Sequence, residues 1–243
     1  MNATVSTNHL GQPIGFPVRG WAPPSVPTRT VLRGRFCRLE PVDPDVHAAS
    51  LYKANAVDAD GKNWTYLPYG PFESFENYHA WLVQNSTGED PIFFAIIDEL
   101  HRSAVGVASY MRVNPEAGSI EVGGINYSPL LQRRPAATEA MYLMMKHAFN
   151  LGYRRYEWKC NALNAASRAA AQRFGFSFEG VFRQACVVKG HNRDTAWYSI
   201  LDSEWPALNA AFSRWLDPSN FDEQGKQRAK LSSLTGPIVK QQG

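Results

Sequence analysis

Apolar residues along the chain change their spacing repeatedly, and each change marks an element. From Thr30 to Glu40 the run TVLRGRFCRLE sets Val31, Leu32, Phe36 and Leu39 among arginines in imperfect alternation, which predicts a first strand. Asp43-Pro44-Asp45 supplies an N-cap and a first-turn proline for a helix through about Ala56. Ser74, with Glu76 close behind, opens a second helix that carries Tyr78, Trp81 and Leu82 at helical spacing and ends near Asn85. Residues Pro91 to Ile97, Val105 to Val113 and Ser119 to Tyr127 read as three strands joined by short turns, the second marked by Asn114-Pro115-Glu116-Ala117-Gly118. Apolar positions at Ala140, Met141, Met144, Met145 and Ala148 then form one buried face of a third helix, with Pro135 at or near its first position and Gly152 as its stop. Tyr156, Trp158 and Cys160 alternate on one face of a strand, and Asn164-Ala165-Ala166-Ser167 opens a helix that ends at Phe174-Gly175-Phe176. Strands at Phe176 to Val188 and Thr195 to Leu201 meet at a turn around Gly190-His191-Asn192, and a last helix spans about Trp205 to Trp215.

Composition narrows the setting. The 243 residues, 44% of them hydrophobic, suffice for one domain with a core, expected over 29–216 and flanked by an extended arm at 1–28 and a loose polar tail at 217–243. The arm is expected to be ordered only if Phe16 and Trp21 dock on the domain. The net charge of +3 is dispersed, so nucleic acid is not implied as a partner. No apolar stretch approaches the ~20 residues of a membrane span, and the N-terminus shows no basic flank leading into an apolar segment, so neither a membrane anchor nor a secretory signal is expected. The cysteines Cys37, Cys160 and Cys186 are odd in number and far apart, which suits free thiols in the cytoplasm, and neither they nor the histidines show metal-ligand spacing.

Chemistry is expected first at Leu131-Gln132-Arg133-Arg134-Pro135-Ala136-Ala137-Thr138-Glu139-Ala140, where a doubly basic turn runs straight into the third helix. Free amides around Gln132 to Ala137 and the positive end of the helix dipole favour an anion there, and Arg133 and Arg134 add guanidiniums suited to phosphate oxygens. A plain arginine-rich helix start is the simpler alternative. Just before this turn, Gly123-Gly124 interrupts a strand, which marks either a bulge with close approach by a ligand or an ordinary kink. Between the first two helices, Trp64-Thr65-Tyr66-Leu67-Pro68-Tyr69-Gly70-Pro71-Phe72 concentrates rings in one loop, to be read as core packing or as a lid facing a substrate.

At Gln132-x-x-Pro135-x-Ala137, followed by Thr138-Glu139-Ala140, the chain resembles the GNAT superfamily of N-acetyltransferases, whose signature is Gln/Arg-x-x-Gly-x-Gly/Ala at the start of the helix that binds the pyrophosphate of acetyl-CoA. Asn164-x-x-Ser167, Phe174-Gly175-Phe176 and Glu179-Gly180-Val181-Phe182-Arg183 resemble its Rim-type branch, which acetylates ribosomal-protein N-termini. The element order β-α-α-β-β-β-α-β-α-β-β matches that superfamily over roughly Thr30 to Asp202. The resemblance implies an α/β (α+β) GNAT fold: a mixed, mostly antiparallel sheet flanked by helices, with strands splayed at the acetyl-CoA site. Two positions depart from the pattern, with Pro135 where the family has glycine and Cys186 where the Rim-type branch has glutamate.

The resemblance further implies a role for each candidate. Acetyl-CoA would lie along Gly124 and Ile125, with Gln132, Arg133, Arg134, Ala136, Ala137 and Thr138 at its pyrophosphate and Asn164 at its pantetheine arm. Amides at Gly124 and Ile125 would steady the carbonyl oxygen as it gains charge, and the Ser167 hydroxyl would supply a proton to the leaving thiolate. Asn164 as a helix cap and Ser167 bonded to backbone are the simpler alternatives. Glu121 is the candidate base in place of the missing glutamate, or else a solvated strand residue. Trp64, Tyr66 and Tyr69 would wall the acceptor, a small-molecule amine or a peptide N-terminus. No metal is implied, homodimerisation is left open, and the rival function is a CoA-binding sensor or interaction protein with weak or no turnover.

Overall fold

Side-chain caps start three of the helices where the pattern places them, in a computed structural model that describes residues 5–243. Residues 1–4 of the predicted arm lie outside the described residues. The elements are β1 (Ser6–Thr7), β2 (Pro13–Ile14), β3 (Leu32–Arg33), β4 (Cys37–Pro41), α1 (Pro44–Asn55), α2 (Phe75–Ser86), β5 (Ile92–Asp98), β6 (Ser103–Asn114), β7 (Ser119–Tyr127), α3 (Pro135–Asn150), β8 (Arg155–Asn161), α4 (Ala165–Arg173), β9 (Ser177–Val188), β10 (His191–Leu201), α5 (Trp205–Leu216) and α6 (Leu231–Thr235). The Asp43 carboxylate accepts from Asp45 N at 3.0 Å, Ser74 Oγ from Asn77 N at 3.2 Å and Asn164 Oδ1 from Ser167 N at 3.0 Å, each filling an otherwise orphaned helix-start donor.

Eight strands form one sheet in the order β3-β4-β5-β6-β7-β8-β10-β9, antiparallel throughout except for the parallel pair β7 and β8. Both faces are covered, and β5 shows how: its residues alternate between the two cores. Ile92, Phe94 and Ile96 point to one side, where Met141, Met144 and Met145 of α3 and Phe212 of α5 pack. Phe93, Ala95 and Ile97 point to the other, against Leu51 of α1, Leu82 of α2 and Trp64. This is the mixed, mostly antiparallel α/β architecture that the resemblance implies. No helix among the described residues is long and apolar enough to cross a membrane.

Two expectations need correction. The single first strand is a hairpin, because β3 and β4 pair antiparallel with each other through Leu32↔Leu39 and Arg33↔Arg38. The turn is drawn onto α3 by the Glu139 carboxylate, which accepts from Arg35 N at 2.9 Å, Phe36 N at 2.6 Å and Cys37 N at 2.9 Å. A Cβ at residue 34 would meet that carboxylate at 2.4 Å, so Gly34 is the residue that allows the approach. The segment from Asp217 is also not loose: Leu231 and Thr235 are fully buried, Thr235 Oγ1 donates to Arg173 O at 2.9 Å, and Phe178 N donates to Gln241 O at 2.9 Å. Its apolar anchors are single residues in a polar context, too sparse to form a periodic signal. The arm likewise meets the domain, with the Arg154 guanidinium over the Trp21 ring at 5.7 Å and that ring against Gly118.

Glu139→Ala strands three backbone donors at once. It should cost about 3 kcal/mol or more, seen as a melting temperature lowered by roughly 6–12 °C for a domain of this size. An unchanged melting temperature would show that the hairpin is held by other contacts.

Candidate active site

Strands β7 and β8 pair from Ser119↔Arg155 to Val122↔Trp158 and then part, although β7 runs on to Tyr127 and β8 to Asn161. On its other edge β7 is bulged: Val107↔Asn126 is followed by Ser109↔Gly123, so β7 carries one extra residue there. Gly124 sits in the bulge at φ 57°, and a Cβ on it would lie 2.8 Å from the Phe93 ring, so the position requires glycine. Ser109 Oγ donates to Gly123 O at 2.9 Å, and the Tyr69 hydroxyl reaches Gly124 O at 3.4 Å. Because these peptides are trans, the N–H groups of Gly124 and Ile125 point away from those hydroxyls. The gap is thus edged by backbone polar groups without strand partners, at a bulge whose carbonyls are pinned.

At the far end of the gap lies the turn before α3. Gln132 N donates to Ser128 O at 3.1 Å, Arg134 N to Leu131 O at 3.3 Å and Ala137 N to Arg134 O at 3.1 Å, so these amides are committed. Among the described residues none accepts from the N–H of Arg133 or Ala136. Pro135 occupies the first helical position, where its missing N–H is least costly. Arg133 adopts a left-handed conformation at φ 61°, and Arg134 pairs with the buried Asp98 carboxylate at 3.2 Å. Gln132 Nε2 donates to Asn63 Oδ1 and to Tyr127 O, both at 2.8 Å, which ties this turn to the aromatic loop.

Gap and turn belong to one cleft of about 1210 Å³. One wall is a stripe on α4, Asn164, Ser167, Ala170 and Arg173, which recur every third residue. Trp158, at the fork of the strands, donates its Nε1–H to Ser167 Oγ at 3.0 Å. The hydroxyl oxygen is therefore an acceptor from Trp158, which leaves the hydroxyl to act toward other groups as a donor. Asn164 is the cap of α4 as well as a cleft residue, so both readings of it hold together.

Glu121 also faces the cleft, but it is buried rather than solvated, with Arg112 Nη1 at 2.7 Å and Lys159 Nζ at 2.9 Å. The lysine is placed for an ion pair, at an angle too sharp for a full hydrogen bond to Glu121 Oε2. Burial raises the Glu121 pKa above its ordinary value, with Lys159 and Arg112 pulling it partly back.

Of the residues singled out in the sequence, Glu121, Gly124, Ile125, Gln132, Arg133, Arg134, Ala137, Thr138, Asn164, Ser167, Tyr66 and Tyr69 all line this cleft. Ala136 buries its methyl group in the core. Trp64 is the clear correction: it is buried in the second core, edge-on to Tyr69 and Phe72, with Gly70 against its ring. The aromatic loop is thus both core and wall, Trp64 and Phe72 inward and Tyr66 and Tyr69 toward the cleft. Cys186 is exposed on β9 and is not among the cleft residues, whereas Arg112, Lys159, Arg173 and Arg193 are and were missed. For Arg173 the three-residue stripe from Asn164 was a usable signal. The other three lie on strands whose pairing had to be known first.

The Acetyltransferase (GNAT) domain family matches residues 37–177, more than half of the chain. A GCN5-related N-acetyltransferase from Brucella melitensis is 46% identical with a TM-score of 0.88, covering 90% of this chain and 100% of that one. A probable acetyltransferase (GNAT family) from Chromobacterium violaceum is 42% identical with a TM-score of 0.76, covering 81% and 98%. An acetyl transferase from Salmonella typhimurium that modifies the N-terminal serine of a 50S ribosomal subunit protein shares the fold at 21% identity and a TM-score of 0.61, covering 71% and 99%. No curated protein matches the chain. The chain belongs to the GNAT family of acetyltransferases.

Separating core from wall gives a direct test. Trp64→Ala should lose about 3–5 kcal/mol of folding stability, whereas Tyr66→Ala, whose half-buried ring makes one hydroxyl bond to Leu163 O, should melt within a few degrees of the parent. Equal melting losses in the two variants would contradict this division.

Proposed function

We propose that the protein is an N-acetyltransferase of Rim-type kinship that moves an acetyl group from acetyl-CoA to a primary amine, on a small molecule or a peptide N-terminus, by direct attack in a ternary complex. The observation that carries the proposal is the parting of β7 and β8 at a glycine bulge, opening onto the start of α3 within one cleft. Acetyl-CoA supplies an activated acyl group on sulfur. The N–H groups of Arg133 and Ala136, the Arg133 guanidinium and the α3 dipole would hold its pyrophosphate. The open edge of β7 and the Asn164 side chain would hold the pantetheine arm.

In the reaction a nitrogen–carbon bond forms and the carbon–sulfur bond breaks, with its electron pair leaving on sulfur. The Gly124 and Ile125 amides would stabilise the carbonyl oxygen as it gains charge. Glu121 would take the amine proton, directly or through water, and the Ser167 hydroxyl would give one to sulfur. An oxygen that already accepts from Trp158 leaves the hydroxyl to act as a donor, which supports that role for Ser167. The rival, a CoA-binding sensor, draws support from the capture of Glu121 between two cations, which occupy both of its carboxylate oxygens. It draws none from Cys186, which is outside the cleft.

Calorimetry should show acetyl-CoA binding that weakens at least about tenfold when Arg133 and Arg134 are both replaced by alanine, given charge-assisted contacts of this kind. No binding at millimolar acetyl-CoA would remove the proposal.

Ser167→Ala should lower kcat with acetyl-CoA affinity preserved, as when a contact made mainly in the transition state is lost. Glu121 acts as a base only when ionised, and its pKa is raised, so kcat/KM should fall as pH drops through a value above the ordinary carboxylate range. Glu121→Gln should abolish that acid limb and lower the plateau. Binding without thiol release across an amine panel would favour the sensor.

A further inference from the structure

Charges at the reacting end of the cleft are matched with one exception. Arg112 is committed to Glu121, and Lys159 to both Glu121 and Glu157, at 2.9 and 2.8 Å, with its ammonium 3.6 Å from the Trp197 ring centre. Lys62 pairs with Asp60. Arg193 on β10 lines the same cleft, and among the described residues no carboxylate lies within ion-pair distance of it. Its Nε is buried without a hydrogen-bond partner. Its neighbour Asp194 is turned to other work at the β9–β10 bulge, accepting from Gln184 N at 2.7 Å and Asn192 Nδ2 at 3.0 Å.

The position of Arg193 assigns it to the reaction rather than to the pyrophosphate end. Thr195 pairs with Asn161 and Ala162 N donates to Asp194 O at 2.8 Å, which sets Arg193 beside the turn from β8 into Asn164 and Ser167 of α4. A partly buried guanidinium with no counter-ion is costly unless the bound state supplies one. Its planar fork matches a carboxylate, and one unmatched positive charge calls for one negative charge.

Lys189 Nζ, from the β9–β10 turn, donates to Trp64 O at 2.8 Å, and the Tyr66 hydroxyl donates to Leu163 O at 3.2 Å. The loop at residues 62–69, which brings Tyr66 and Tyr69 to the cleft, is thereby fastened to both neighbouring segments.

Resting on the acetyl-transfer reading, we infer that the acceptor is a small amine that also carries a carboxylate, of the amino-acid class, and that Arg193 binds this carboxylate. Glu121 does not compete for the guanidinium, because Arg112 and Lys159 already hold it. The same pairing would position the amine for attack, so Arg193 selects the substrate without taking part in proton transfer.

The test uses the full chain, thiol release from acetyl-CoA, and matched acceptors: free amino acids, their carboxamides, their decarboxylated amines, and short peptides with the same first residue and an amidated C-terminus. The parent should prefer the free acids by at least tenfold in kcat/KM. Arg193→Ala should raise acceptor KM at least tenfold for the acids alone, with the acetyl-CoA KM unchanged, and Arg193→Lys should restore part of the preference. Melting temperatures of both variants establish that they fold. Equal use of acids and amides by the parent, preference for the peptides, or a preference that survives Arg193→Ala in folded protein would each overturn the inference, as would no turnover of any acceptor. Calorimetry separates this from the reading beneath it: intact acetyl-CoA binding leaves that reading standing when the acceptor inference fails.

Discussion

A parallel pair of strands that stops pairing halfway is the constraint on which the rest of this structure depends. A strand edge inside a domain must find partners for its N–H and C=O groups, and β7 past Val122 finds none on its β8 side. The protein keeps that edge open by devices on both sides. The bulge at Gly124, pinned by Ser109 and Tyr69, turns β7 away from regular pairing. On β8, Trp158 stands at the fork and donates to the Ser167 hydroxyl of α4. Such an edge is a template for an extended, polar ligand arm.

How much of this was legible depended on whether the signal was local. Asp43, Ser74 and Asn164 were readable as caps because capping involves only the next few residues, and Pro135 because a proline at the first helical position has a purely local cause. Ser119 to Tyr127 was readable as a strand from alternation alone, and its glycine pair as a break in it. The hairpin at Gly34 was not, since its cause is Glu139, far away in sequence and on another element. Trp64 was misplaced for a similar reason. Within one loop of rings, nothing in the sequence says which faces Leu82 and Ile97 and which faces the cleft.

Charge adds a second layer. Asp98 holds Arg134, while Arg112 and Lys159 hold Glu121, so half of the basic residues around the cleft are structural partners. Counting basic residues near a turn therefore overstates what is free to bind an anion. Arg133, with its exposed side chain at a strained backbone position, and Arg193, with its buried Nε unbonded, are among the cleft cations without a carboxylate partner. Arg173, which donates to Thr138 Oγ1 at 3.1 Å, and Lys226 are the others among the described residues. One end suits a pyrophosphate and the other a single carboxylate. The cleft is thus polarised by what its cations lack rather than by how many there are.

Pro135 and Cys186, the two departures from the family pattern, carry different weight once placed. Pro135 removes an amide at the first helical position, but among the described residues nothing accepts from the neighbouring N–H groups of Arg133 and Ala136. The cradle is altered by one donor rather than lost. Cys186 stands on an exposed stretch of β9 beyond the bulge at Gly180, where a carboxylate would meet solvent rather than the cleft. A base must lie within reach of the amine, and in this chain the carboxylate on the cleft wall is Glu121. Its burial between two cations sets a compromise. Desolvation raises its pKa above the ordinary carboxylate value, and Lys159 and Arg112 pull it only partly back.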